Sequence, residues 1–151
     1  MKKDTRLKID GDLNKFDTFT DIIAKLRGPD GCPWDKEQTH QSLRENLLSE
    51  SYEVLDALDN GEPEKLCEEL GDLLLQIVLQ AQIAADSGEF KIDDVVRGIA
   101  EKIIRRHPHI FGSGEAKNSK EVMQNWEALK KKEREEGASM LASVPKAMPV
   151  R

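Results

Sequence analysis

Two long apolar-periodic segments separated only by Asn60-Gly61-Glu62-Pro63 constrain this chain more than anything else in it. The first begins at Ser42, with Glu45 three residues on in capping-box spacing, and stops at Asn60-Gly61. The second opens at Pro63, a residue suited to the first turn of a helix, and runs through Leu66, Leu70, Leu73, Leu74, Ile77 and Ala81 towards Ser87-Gly88. A connection this short makes consecutive helices antiparallel neighbours, so the pattern predicts a helical hairpin. Composition agrees with an all-α fold: aromatic residues are 5% of the chain, and the β-branched and aromatic types that fill sheets are scarce beside Leu, Ala, Glu and Lys.

Other helices are expected on either side. Thr18 or Asp17 caps a short one ending at Leu26, and Gly28, Pro29, Gly31 and Pro33 make the stretch from Leu26 to Thr39 irregular. Asp93 or Asp94 caps a fourth helix ending before Pro108. Asn118 or Ser119 opens a highly charged fifth that ends near Gly137. The 151 residues suit one domain, read as a polar arm over 1–16, a domain over 17–137 and a loosely held tail over 138–151. No internal repeat divides the chain.

The formal charge of −6 disfavours binding to nucleic acid or anionic membranes, and no apolar run approaches membrane-spanning length. Cys32 and Cys67 fall in no metal-binding spacing and are read as free thiols in a reducing cytoplasm.

The acids within the hairpin are misplaced for a solvated face. At about 100° per residue, Leu43, Leu47, Val54, Ala57 and Leu58 form one stripe, with Glu50 inside it and Glu53 at its edge. On the next helix Leu66, Leu70, Leu73 and Ile77 form one stripe and Leu75, Leu79 and Ile83 another. Glu69, Asp72, Gln76 and Gln80 make a polar seam between them. Buried charges are costly unless compensated. Two i, i+3 acid pairs on adjacent antiparallel helices can converge on one hard divalent cation, and Mg²⁺, with Mn²⁺ as a substitute, suits an all-oxygen site completed by substrate phosphates. The same spacing occurs on ordinary solvated faces, the reading that fits Glu45, Glu62 and Glu133. A di-iron site would need two Glu-x-x-His motifs, and Glu37-x-x-His40 is the one present.

Val95, Ile99 and Ile103 make the apolar face of the fourth helix, with Lys102 and Arg106 one turn apart at its margin. Arg105, Arg106 and His107 crowd the last turn, where positive charge either binds an anion or offsets the helix dipole. His107 and His109 read as loop hydrogen-bonders, and His40 is weak as a catalyst. Trp34 and Trp126 are base-stacking candidates or packing anchors, and Lys130 to Arg134 reads as a solvated face.

Several motifs together now carry a resemblance: residues 31–40 (Gly-Cys-Pro-Trp-Asp-Lys-Glu-Gln-Thr-His), Glu50-Ser51-Tyr52-Glu53, Glu68-Glu69-Leu70-Gly71-Asp72-Leu73-Leu74 and Arg105-Arg106-His107-Pro108-His109-Ile110-Phe111. Over roughly residues 17 to 147 the chain resembles the MazG family of nucleoside triphosphate pyrophosphohydrolases. The resemblance implies an all-α, MazG-like four-helix bundle with an additional C-terminal helix, assembling as a homodimer or higher oligomer. It implies Mg²⁺ ligation by Glu50, Glu53, Glu69 and Asp72, phosphate contacts from Lys102 and Arg106, and Trp126 near the base; Arg105 joins the substrate-binding candidates from its place in the basic last turn. Ser49 stands where the family pattern has a further acid. The implied reaction cleaves a nucleoside triphosphate between its α and β phosphates. A non-catalytic helical module that binds nucleotides or a protein partner is the rival, and a ferritin-like metal protein a third reading.

Overall fold

The computed structural model describes residues 6–142, and among them every regular element is helical. The elements are α1 (Phe16–Leu26), α2 (Pro33–Glu37), α3 (Arg44–Asn60), α4 (Pro63–Asp86), α5 (Ile92–Arg106), α6 (Pro108–Phe111) and α7 (Ser119–Ala142). The chain forms two compact units that divide between Val95 and Val96, within the first turns of α5.

In the first unit α3 and α4 pack along one another and α1 lies against α4, so the hairpin expected from the sequence is present. Its turn depends on Gly61, which takes φ +67° and donates its N–H to Ala57 O at 3.1 Å. Nothing lies within 4 Å of where a Cβ would sit, so glycine is needed there for its left-handed backbone rather than for space. Pro63 occupies the first turn of α4, as its missing donor allows. The core gathers Ile23, Leu43, Val78, Leu79 and Ile83, with Phe19, Leu26, Leu75 and Ile92 packed against them.

Several local expectations are corrected. Ser42 does not cap α3, whose N-cap position is Leu43 without a side-chain bond. Ser42 instead closes a reciprocal turn with Thr39: Thr39 N–H donates to Ser42 Oγ at 2.8 Å and Ser42 N–H to Thr39 Oγ1 at 3.0 Å. That satisfies the hydroxyl locally and delays the helix by one residue. Neither Thr18 nor Asp17 caps α1, which starts earlier at Phe16 with Lys15 before it. The stretch from Leu26 to Thr39 is not wholly irregular, since Pro33–Glu37 form one helical turn. Arg27 holds that turn in place. Its nearly buried guanidinium donates to the carbonyls of Asp35 and Gln38 and to Asp86 Oδ2 on α4. Gly31 runs so close to the end of α1 that a Cβ there would collide with the backbone carbonyls of Lys25 and Leu26.

The two apolar stripes of α4 have unequal fates. Leu79 and Ile83 join the core, whereas Leu70, Leu74 and Ile77 remain exposed, as does Leu58 on α3. The polar seam is the part of α4 that is covered: Glu69 is 4% exposed and Gln76 is 6% exposed.

In the second unit α7 begins as expected, with Asn118 Oδ1 accepting from Glu121 N–H at 3.0 Å and Glu121 Oε2 accepting from Lys117 N–H at 2.6 Å. The helix continues past its expected end at Gly137 to Ala142, because one interior glycine costs only about 1 kcal/mol against alanine. The tail expected over 138–151 thus begins inside α7, and its residues 143–151 lie outside those described. Pro108–Phe111 add a short turn, α6, that the sequence pattern did not announce. Among the described residues no helix is long and apolar enough to cross a membrane.

Candidate functional site

Helical phase brings three of the four hairpin acids together. Glu50 of α3 and Glu69 and Asp72 of α4 each offer a carboxylate oxygen, and these oxygens all lie within 4.8 Å of one another. Glu53, one turn further along α3, is exposed and stands outside this trio, although its charge acts on Glu50. Burial first, then the charges of Asp72, Glu69 and Glu53, push the Glu50 carboxyl above its ordinary value of 4.5. Both causes oppose ionisation, and a cation among these oxygens would relieve them. The donor set is all oxygen and anionic, which fits a hard divalent ion and not a thiolate- or imidazole-preferring one.

The surroundings of the trio add three residues that the sequence reading left aside or left without a role. Lys65 Nζ pairs with Glu69 Oε1 at 2.9 Å, and that hydrogen bond raises the lysine's own pKa. Its i, i+4 spacing from Glu69 was the available signal. Gln76 continues the seam one turn beyond Asp72, and its buried Oε1 has no hydrogen-bond partner. Gln80, a turn further, accepts from His40 Nδ1 at 2.6 Å and donates to His40 O at 3.2 Å. His40 is therefore held as a structural partner of α4.

The basic candidates gather in the second unit. Glu133 of α7 bridges two guanidinia: Arg105 Nε donates to its Oε1 at 2.6 Å, and Arg106 donates to its Oε2 from Nη2 at 2.6 Å and from Nε at 3.0 Å. These bonds hold the Glu133 carboxyl down at about 2, so it stays ionised well into acid. Glu133 is thus no ordinary solvated acid, contrary to the expectation from its place on a charged helix. Lys102 lines the same pocket as these groups, together with Lys130 and Arg134, which the sequence pattern had read as solvated face. Trp126 is half-buried, edge-on to His107 at 5.1 Å between ring centroids, with the Arg106 guanidinium 5.4 Å from its own ring centroid. Trp34 is exposed on α2 in the first unit. His107 behaves as expected, its Nδ1 donating to Ile103 O at 2.7 Å, whereas His109 Nδ1 is buried without a partner.

This combination has known relatives. The family model described as the MazG nucleotide pyrophosphohydrolase domain matches residues 38–111. Over this segment the chain belongs to the MazG family. The nucleoside triphosphate pyrophosphohydrolase of Escherichia coli K12 is 44% identical over 140 residues, covering 91% of this chain and 53% of that protein. The YabN protein of Bacillus subtilis is 51% identical over 137 residues, or 90% of this chain and 28% of its own length. The chain thus spans about half or less of these curated relatives. A crystal structure of a mazG-related protein from Thermotoga maritima superposes with a TM-score of 0.63 at 29% identity, covering 76% of this chain and 98% of that one. The all-α class expected from the sequence therefore stands, and so does the recognised family. The MazG segment contains the four hairpin acids and Lys102, Arg105 and Arg106, while Trp34, Trp126 and Glu133 lie outside it.

Proposed function

We propose that the chain hydrolyses nucleoside triphosphates between the α and β phosphates, giving a nucleoside monophosphate and pyrophosphate, with Mg²⁺ or Mn²⁺ on the hairpin acids. The convergence of Glu50, Glu69 and Asp72 in a MazG domain carries this reading. A divalent ion there would neutralise phosphate oxygens and polarise water. Glu50, Glu69 and Asp72 would hold it, and Lys65 would release Glu69 when it arrives. Glu53, exposed and outside the trio, orients the attacking water and accepts its proton. The water oxygen bonds to the α phosphorus as the bond to the bridging oxygen breaks, and the electron pair leaves on pyrophosphate. Lys102 and Arg106, with Arg105 beside them, stabilise that departing charge. Trp126 and Trp34 are the aromatic faces available to a base.

The same reading takes the active form to be a homodimer or higher oligomer in the cytoplasm. Support comes from the exposed Leu70, Leu74 and Ile77 on α4 and Leu55 and Leu58 on α3, an apolar surface that a lone hairpin leaves in water. The free thiols Cys32 and Cys67 agree with a reducing compartment.

Replacing Asp72 by Asn tests the acid site. D72N is expected to lower kcat by about a hundredfold or more and to abolish the rise in thermal midpoint that Mn²⁺ gives the unaltered chain. Unchanged turnover with an unchanged metal response would remove Asp72 from the site.

A further inference from the structure

Five basic side chains share one pocket of about 480 Å³ in the second unit: Lys102, Arg105 and Arg106 at the end of α5, and Lys130 and Arg134 on α7. Glu133 is the single acid among its lining residues, and it is bonded to both Arg105 and Arg106. Among the described residues Lys102, Lys130 and Arg134 form no ion pair. Uncompensated like charges gathered in one pocket repel, and in a chain of formal charge −6 their concentration on one wall is a local anomaly. Lys130, Glu133 and Arg134 fall at i, i+3 and i+4, so α7 presents them on one face. A single carboxylate has two oxygens, and here they are already engaged by two guanidinia. An anion that satisfied all five cations would need more oxygens and more charge, the chemistry of a condensed phosphate.

We propose that α7 completes a condensed-phosphate seat through Lys130 and Arg134, and that Glu133 occupies this seat internally and gives way when the phosphate binds. This rests on the pyrophosphohydrolase reading above for the origin of the ligand, and it adds residues that lie outside the matched MazG segment. In the empty pocket the carboxylate keeps Arg105 and Arg106 extended towards one another instead of mutually repelled. When pyrophosphate enters, its oxygens replace those of Glu133 on the two guanidinia, and Lys102, Lys130 and Arg134 take the remaining charge. The guanidinia are thus arranged before the ligand arrives, at the cost of an internal competitor.

Calorimetric titration of the full chain with inorganic pyrophosphate, in chelator and without divalent metal, tests this directly. The double variant K130A/R134A is expected to bind about tenfold or more weakly, and E133Q more tightly, than the unaltered chain. The charge-matched K117A/K120A, which removes one cation just before the same helix and one in its first turn, is expected to bind as the unaltered chain does. Equal affinity of K130A/R134A and the unaltered chain, or equal weakening by K117A/K120A, would overturn the seat. Weaker binding by E133Q would overturn displacement. Circular dichroism of each variant establishes that the helices are retained. Because the titration uses the product pyrophosphate and no triphosphate, it reads the pocket apart from the reaction: pyrophosphate binding that survives a failed hydrolysis assay upholds the pocket while rejecting the reaction, and the converse result does the opposite.

Discussion

At the scale of single residues, the most informative side chains are those whose charges the fold has to manage. Glu50 is pushed towards its neutral form by burial and by three neighbouring acids, whereas Glu133 is held ionised by two arginines. The second effect has a definite sign with pH. A carboxyl whose folded pKa sits near 2, below the ordinary 4.5, stabilises the fold fully above about 4.5 and loses that contribution as pH falls towards 2. The thermal midpoint of the unaltered chain should therefore exceed that of E133Q at neutral pH, and the gap should close between about pH 4.5 and 2. A gap that stays constant over this window would mean that the carboxylate is not bonded to Arg105 and Arg106 in solution. The suspicious phase of Glu50, Glu69 and Asp72 was visible in the sequence because an i, i+3 pair on an apolar face is a local pattern. Glu133 was invisible for the opposite reason. Its partners lie 27 and 28 residues earlier on another helix, and no periodicity along α7 reports them.

At the scale of elements, the long helices were legible and the short ones were not. α3 and α4 announce themselves through period and punctuation, and their shared turn places the two acid pairs side by side. α2 and α6 have 5 and 4 residues, too few to be stable on propensity alone. Arg27 fixes the first of these through carbonyls of Asp35 and Gln38, a tertiary bond that composition does not encode. The stripes of α4 show the limit of a helical wheel: it finds faces but does not rank them. Leu70 and Ile77 formed as good a stripe as Leu79 and Ile83, and only the latter pair is in the core. The hairpin turn gives its own prediction. Gly61→Ala forces an L side chain into φ +67° and should lower unfolding free energy by about 1 kcal/mol in urea titration. No loss would mean that the turn relaxes without cost.

At the scale of the whole molecule, a bundle helix with leucines in water calls for a partner. Sedimentation velocity on the full chain should give a dimer or larger species, and Leu74→Glu with Ile77→Glu should shift it to monomer without loss of helicity. A monomer at all concentrations would leave the exposed stripe without this explanation. The central claim is chemical, however, and depends on which bond breaks. Incubation of the full chain with nucleoside triphosphates and Mg²⁺, with phosphorus NMR of the products, should give nucleoside monophosphate and pyrophosphate in equal amounts, and no signal for either when Mg²⁺ is chelated. Release of nucleoside diphosphate and orthophosphate, or no turnover of any triphosphate in the presence of metal, would contradict it.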